Sequence, residues 1–141
     1  MGHPTIYPTG VTVYNPEKCW NGFTIFQALE VGAVLMNMNG RENKVWKGVH
    51  GFPNKIFPGG YLMTSRGSRD GRYGVQDGLD LVQIDWDGNV VWKFDRNEYI
   101  EDPGTPGRWM ARSHHDYQRE GSTTGYYAPG MEPKTDSGNT L

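Results

Sequence analysis

The stretch LDLVQIDWDGNVVWKF, residues 79–94, decides the fold that this sequence predicts. Two runs rich in β-branched and aromatic residues, 81–86 and 90–94, flank the tripeptide Asp87-Gly88-Asn89. β-Branched and aromatic side chains favour extended backbone, and Asp, Gly and Asn tolerate the positive φ angles of a tight turn. The stretch therefore predicts an antiparallel β-hairpin.

A similar hairpin pattern occurs earlier in the chain. Residues 33–38 form a mostly apolar run, which leads into Asn39-Gly40 and then into Val45-Trp46-Lys47. The turn dipeptides of the two copies are 48 residues apart, whereas Val45-Trp46-Lys47 and Val91-Trp92-Lys93 are 46 residues apart. The comparison predicts a repeat whose first copy carries two extra turn residues.

Two histidines mark a further repeated position. His50 is followed by Gly59-Gly60 and Tyr61, and His115 is followed at a similar distance by Gly125 and Tyr126. A self-similarity near 46 residues, with about four short strands in each period, is the sequence pattern of a β-propeller. We therefore predict an all-β chain of antiparallel four-stranded blades, amounting to one to two blades of a propeller.

The predicted organisation has a lead and a partial propeller. Residues 1–32 form an N-terminal lead with short strand candidates, and residues 33–141 form a partial β-propeller domain. A propeller of six blades at this period needs roughly 280 residues, so we expect the chain to be an N-terminal portion of a longer protein. The blade repeats fall at about 33–47, 50–95 and 114–141, and the strand candidates in the lead are 11–14 and 23–26.

Composition excludes several classes of protein. Fourteen basic and sixteen acidic residues without a basic run leave no electrostatic footprint for nucleic acid. No apolar run approaches membrane-spanning length, and the sequence Met1-Gly2-His3-Pro4 has no signal-peptide core. The single Cys19 cannot form an internal disulfide, and 13% aromatic residues exclude a disordered chain.

Two long loops predict where the functional site lies. The strands predicted within the second repeat leave residues 66–78 and 95–113 as loops, and a meander places both on the same face of the blade. Long loops gathered at one end of a rigid scaffold are where function concentrates. We predict a site at the mouth of the central channel, lined by histidines and loop arginines: His50, His114, His115, Arg66, Arg69, Arg72, Arg108 and Arg112.

The residue types at this predicted site allow several roles. His114-His115-Asp116 can be structural, can supply a nucleophile or an acid and base, or can ligate a metal, although the tripeptide alone lacks the further ligands that a metal site needs. A regular strand would turn only one of the two histidines to the channel. His50 also fits a fold position that bonds a neighbouring blade, and an arginine such as Arg112 or Arg66 either holds a sulfate, phosphate or carboxylate or stays a solvated loop charge.

Several motifs together resemble the bacterial arylsulfotransferase family, which takes sulfuryl groups from aryl sulfates rather than from a nucleotide sulfate donor. They are GVTVYNPEK at residues 10–18, WKG and HGFPNK at 46–48 and 50–55, PGGYL at 58–62, QDGLDLV at 76–82, and RWMAR with HHDY at 108–112 and 114–117.

The resemblance implies a six-bladed propeller in which a channel histidine attacks the sulfur of an aryl sulfate. The resulting sulfohistidine passes the sulfuryl group to a phenol, with no metal or organic cofactor. The covalent histidine is expected beyond Leu141, whereas His115, or alternatively His114, matches an earlier channel histidine that assists the leaving group or binds sulfuryl oxygens. We assign substrate binding to Arg112, His50 and Arg66, and the resemblance implies a periplasmic or secreted location.

Two other functions stay open at this stage. The first is a non-catalytic propeller that acts as a binding or scaffold module through the same face. The second is a quinoprotein-like oxidoreductase, because Asp-Gly-Asn and Val-Trp-Lys repeats also occur in those propellers. A coloured, redox-active cofactor would distinguish the second from the first.

Overall fold

The computed structural model describes residues 11–51, 53–74, 77–119 and 140–141. Over these residues the chain consists of antiparallel β-sheets, loops and a single helical turn, which confirms the all-β prediction. No helix in the described ranges is long and apolar enough to span a membrane. The elements are β1 (Phe23–Ala28), β2 (Gly32–Asn37), β3 (Glu42–Trp46), β4 (Lys55–Phe57), β5 (Tyr61–Thr64), α1 (Gly71–Gly74), β6 (Leu81–Ile84), β7 (Val90–Phe94), β8 (Glu98–Ile100) and β9 (Arg108–Met110).

The largest sheet is a four-stranded meander in which β4, β5, β6 and β7 each pair with the next strand in the chain. All four residues of β6 are buried, because other parts of the chain cover both faces of the sheet. The predicted hairpin is confirmed by the pairing of β6 with β7. β6 ends at Ile84 rather than at Trp86, because Asp85 already begins the turn.

The same arrangement of hydrogen bonds builds the turns of both hairpins. Oδ1 of Asp85 accepts the backbone N–H groups two and four residues later, at 2.9 and 2.8 Å. Oδ1 of Asn37 does the same in the first hairpin, at 3.0 and 3.1 Å. Gly88 and Gly40 have φ angles of 93° and 74°, a region that glycine enters without steric cost.

The two hairpins share one register. Ala33 pairs with Trp46 and Leu81 pairs with Phe94, so the paired residues of the second hairpin lie 48 positions after those of the first. Each hairpin also has a register shift at the equivalent place, in β2 and in β6. The prediction of two extra turn residues in the first copy is therefore wrong. The two Val-Trp-Lys triplets occupy positions that differ by two residues along β3 and β7.

The first sheet consists of β1, β2 and β3 and begins at Phe23. The domain boundary suggested at residue 32 falls inside this sheet, because β1 pairs with β2 along its whole length. Residues 11–14, the other strand candidate, form no strand, so that prediction is wrong. Val13 is 86% exposed, and no strand in the described part of the chain pairs with this segment.

The two sheets pack face to face through an apolar cluster. Leu62 and Val82 of the larger sheet are fully buried against Ala33, Leu35 and Trp46 of the smaller one. The indole Nε1 of Trp46 also donates a hydrogen bond to the backbone oxygen of Asp85, at 3.2 Å. A second cluster covers the opposite face of the larger sheet and contains Phe57, Met63, Leu81 and Tyr117.

Two connecting segments differ from the prediction. β4 begins only at Lys55, so the described residues before it, 50, 51, 53 and 54, lie in no strand, although an inner strand is predicted to begin at His50. The side chain of Asn54 bonds Gln27 at 3.0 Å and Thr64 at 2.7 Å, which holds this segment as a polar bridge between the two sheets. Residues 95–113, predicted as a loop, contain the two-stranded sheet of β8 and β9.

The third predicted repeat is described only at its ends. His114 to Gln118 belong to no strand, but Gln118 and Leu141 exchange two backbone hydrogen bonds of 2.8 Å. Gly125 and Tyr126, which suggested the next strand of this repeat, lie outside the described residues.

Asp85→Ala is expected to lower the melting temperature by several degrees, because two backbone N–H groups and the amide of Asn89 lose their acceptor. Hydrogen bonds from Asn89 hold the pKa of Asp85 below its usual range. The stabilisation by Asp85 is therefore fully present above the ordinary pKa of an aspartate and is lost as the pH falls through the lowered pKa of the folded protein. At acid pH the melting temperatures of Asp85→Ala and the wild type should therefore differ less than at neutral pH. Thermal melts at neutral and acid pH measure both effects. If Asp87→Ala lowered the melting temperature as much as Asp85→Ala, the role given to the Asp85 side chain would be contradicted.

Candidate functional site

The two long connections meet at one side of the larger sheet. Nε of Arg69 donates to Oδ2 of Asp102 at 3.0 Å, and the hydroxyl of Tyr73 donates to the backbone oxygen of Pro103 at 3.3 Å. The backbone N–H of Gly78 bonds the oxygen of Ser113 at 2.8 Å. These contacts confirm that residues 66–78 and 95–113 lie together, as the meander predicted.

Asp77 lies at the centre of the polar groups between these connections. Its side chain is only 10% exposed, and Oδ1 lies 3.0 Å from Nδ1 of His114. Oδ2 lies 3.4 Å from Nη1 of Arg69 and 3.5 Å from Nε of Arg112. One carboxylate thus contacts one imidazole and two guanidinium groups. We call Asp77, Arg69, Arg112, His114 and His115 the Asp77 cluster.

The contact with Asp77 fixes the orientation of the His114 ring. A carboxylate only accepts hydrogen bonds, so Nδ1 of His114 carries the proton of this bond. In the neutral ring the lone pair then lies on Nε2, at the far side of the imidazole. The side chain is 46% exposed, so small molecules can reach it. A buried carboxylate that orients an accessible imidazole is an arrangement suited to nucleophilic or acid–base chemistry.

His115 lies beside His114 rather than on the opposite face. The two ring centroids are 4.2 Å apart, and the ring planes are nearly perpendicular at 81°. The expectation that adjacent residues face opposite ways required a regular strand, but His115 has a φ of 64°. The backbone oxygen of His114 accepts the N–H of Asp116 at 2.8 Å, which closes a tight turn here. Both imidazoles therefore belong to one surface.

Asp116 does not join the histidine pair. Its carboxylate lies 2.6 Å from Nζ of Lys55, and this hydrogen-bonded partner lowers the pKa of the Asp116 carboxyl. Across the described ranges, no three His, Cys, Asp or Glu side chains form a group that could hold a metal ion.

Arg112 contributes a guanidinium that two carboxylates hold in place. Its Nη1 donates to Oε2 of Glu98 at 2.7 Å, and its Nε faces Asp77. The hydrogen bond with Glu98 raises the pKa of Arg112, so the group keeps its positive charge. Glu98 belongs to β8, so the hairpin of β8 and β9, which the sequence does not predict, positions the carboxylate that holds Arg112.

The other two predicted substrate-binding residues lie apart from this cluster. Nε of Arg66 donates to Oδ2 of Asp80 at 2.9 Å, and Arg66 lines a cleft between the two sheets with Lys44 and Lys47. His50 lines a small cavity that it shares with Ser113 and is tied at its backbone N–H to Ser65. The structure thus groups Arg112 with His114 and His115, whereas Arg66 lines the cleft between the sheets and His50 lines a separate cavity that borders the cluster at Gly78 and Ser113.

A cleft of about 500 Å³ opens beside the cluster. Its apolar wall includes Trp92 and Phe94, and its polar wall includes Arg112 and His114. A side chain as large as Phe94 is 40% exposed here, whereas its counterpart in the first hairpin, Trp46, is 3% exposed. The cleft has the size and the two-sided character of a site for a small aromatic molecule that carries a polar group.

A scan against protein-family models, a search of curated proteins and a search of solved structures each found no match to this chain. A functional assignment therefore rests on the chemistry of the site.

Proposed function

We propose that this protein is part of a β-propeller sulfotransferase that moves a sulfuryl group from an aryl sulfate to a phenol. The observation that carries the proposal is the 3.0 Å contact between Nδ1 of His114 and the buried carboxylate of Asp77. His115, Arg112 and an aromatic-lined cleft lie around that contact. The four-stranded meander, stacked on a sheet with the same hairpin register, supports the propeller part of the proposal.

The first chemical step breaks the bond between sulfur and the aryl oxygen. A neutral imidazole nitrogen of the covalent histidine, which is a residue other than His114 and His115, forms an N–S bond with the sulfuryl group. The electron pair of the broken S–O bond leaves on the phenolate. A protonated His114 or His115 gives its proton to that phenolate, while the charge of Arg112 stabilises the sulfuryl oxygens. Asp77 stabilises the His114 imidazolium before this transfer.

The second step runs through the same groups in reverse. The acceptor phenol gives its proton back to the imidazole that lost one, and its oxygen attacks the sulfur. The N–S bond breaks and its electron pair returns to the nucleophilic nitrogen. The products are a new aryl sulfate and the enzyme in its starting protonation state, so protons and electrons balance over the cycle.

A second candidate function is a binding module for aromatic molecules. Glu98 and Asp77 already pair with Arg112, so little positive charge is left for a sulfuryl group. A neutral phenol could use the cleft beside Trp92 and Phe94 without any reaction. Binding of 4-nitrophenol without turnover of its sulfate ester would favour this candidate.

The test follows nitrophenolate release from 4-nitrophenyl sulfate by the protein expressed with its full reading frame. We expect release that rises when a phenol is added, because the acceptor removes the sulfuryl group from the enzyme. His114→Ala and His115→Ala should each lower the rate about 100-fold or more, since positioned acid–base groups contribute at least that much.

His50→Ala is the comparison variant for this test, because His50 lies outside the Asp77 cluster and should give a milder loss. If the folded protein releases no nitrophenolate at any pH between about 6 and 9, the sulfotransferase proposal is contradicted and the binding module is favoured. Free imidazole passes from partly charged to neutral over this interval.

A further inference from the structure

We propose that Arg69 is a positioning residue that, held by Asp102, fixes the carboxylate of Asp77 and through it the ring of His114. The predicted effect on activity rests on the proposed function, whereas the effect on the His114 ring does not. Sequence alone offered Arg69 only as one of several loop arginines. The contacts of its guanidinium set it apart from the others.

Arg69 is held by three different partners. Its side chain is 13% exposed, and Nε donates to Oδ2 of Asp102 at 3.0 Å while Nη2 bonds Oδ1 of the same carboxylate. Nη1 donates to the backbone oxygen of Tyr73 at 2.9 Å and reaches Oδ2 of Asp77 at 3.4 Å. A two-pronged contact of this kind fixes the plane of a guanidinium as well as its position.

Asp77 has little room to choose another orientation. Its backbone oxygen accepts the N–H of Arg69 at 2.8 Å, and its own N–H donates to Gly74 at 3.0 Å. A β-carbon at Gly74 would lie 2.5 Å from Oδ2 of Asp77, so the carboxylate packs directly on the glycine. Backbone, glycine and guanidinium together leave Oδ1 facing His114.

Lysine cannot replace Arg69 in this role. A single ammonium has no planar fork, and it cannot bond Asp102 through two nitrogens while a third reaches Tyr73 and Asp77. Arg69→Lys therefore keeps the charge and removes the geometry. The same loop offers a matched control in Arg72, which pairs with Asp70 at the exposed surface with Nη2 to Oδ2 at 2.7 Å.

The test records ¹⁵N NMR spectra of the histidine rings in the wild type, Arg69→Lys, Asp102→Asn and Arg72→Lys. His114→Gln assigns the signal of His114, because its ring nitrogens are absent from the spectrum of that variant. At a pH where the His114 ring is neutral, we expect its proton on Nδ1 in the wild type and in Arg72→Lys. Arg69→Lys and Asp102→Asn should move the signals toward a mixture of the two tautomers.

Nitrophenolate release from 4-nitrophenyl sulfate gives the second readout. Arg69→Lys should lower kcat about 10-fold to 100-fold and change KM less, because a misplaced catalytic group affects the reaction more than binding. An unchanged His114 spectrum in folded Arg69→Lys and Asp102→Asn would overturn the proposal, and so would an equal shift in Arg72→Lys. If Arg69→Lys fails to fold, the His114 spectrum of Asp102→Asn, which keeps Arg69 but loosens its contact, decides whether the proposal stands.

The two readouts separate this proposal from the proposed function. A wild type that releases no nitrophenolate, together with a tautomer shift in Arg69→Lys and Asp102→Asn, would remove the sulfotransferase and leave Arg69 as the positioning residue. Normal nitrophenolate release by the wild type, together with unchanged His114 spectra in both variants, would support the sulfotransferase and remove Arg69 as a positioning residue.

Discussion

Leu62→Ala is expected to lower the free energy of unfolding by about 3 kcal/mol, within the range of buried leucine truncations. Leu62 is fully buried where the two sheets meet, against Trp46 and Ile84 among others. Truncation removes apolar surface from this contact and leaves a cavity, because close-packed strands relax only partly around a missing side chain. The expected loss is large because this one residue contributes to the packing of both sheets.

Urea unfolding followed by circular dichroism measures the loss from Leu62→Ala, with the slope of the transition compared as well. Leu29→Ala is the matched control, because Leu29 is 81% exposed and should change stability by less than about 0.5 kcal/mol. Equal losses from the two variants would mean that the sheets do not pack through Leu62 in solution.

Tyr117→Ala should have an effect of similar size, about 4 kcal/mol, because a buried aromatic ring is lost from the second cluster. The ring packs with Phe57, Met63 and Leu81. Its hydroxyl donates to the backbone oxygen of Met63 at 2.6 Å, and the oxygen of Pro53 lies at 2.9 Å. Tyr117→Phe keeps the ring and should cost about 1–3 kcal/mol, because buried acceptors lose their donor.

Alkaline pH gives an independent check on Tyr117. Burial raises the pKa of its hydroxyl above the ordinary value for tyrosine. The unfolded chain therefore releases this proton near pH 10, while the folded protein keeps it, so stability should fall as the pH rises past about 10. Tyr117→Phe should lose less stability over the same interval. Urea titrations at neutral and alkaline pH measure the difference, and equal losses would contradict the burial of this hydroxyl.

The sequence was most informative about the hairpins. Runs of β-branched and aromatic residues around a turn tripeptide specify a local structure, so the sequence predicts β6 and β7 almost to their ends. Residues 11–14 show the limit of this approach, because β-branched residues do not form a strand without a sheet to pair with. The hairpin of β8 and β9 shows the opposite case, in which a loop-like sequence forms strands because the two segments pair with each other. Its strands have three residues each and are separated by prolines and glycines that are typical of a loop.

The site was predicted only in part, because its partners lie far apart in sequence. His114, His115 and Arg112 were visible as a local cluster of functional residue types. Asp77 lies 37 residues before His114, and although it belongs to the QDGLDLV motif, that motif does not indicate which side chain it contacts. Asp102 was hidden in the same way, since 33 residues separate it from Arg69, which the sequence offers only as one of several loop arginines. Only the packing of two loops brings these charges together.

The backbone at Arg112 and His115 has a consequence for how this surface can change. Both residues have left-handed φ angles, 50° and 64°, which cost a side-chain-bearing residue about 1–3 kcal/mol each. Glycine would relieve that backbone cost at either position, but it would remove the guanidinium that pairs with Glu98 and Asp77, or the imidazole beside His114. The protein therefore carries these two chemical groups at positions whose backbone conformation, taken alone, would favour glycine.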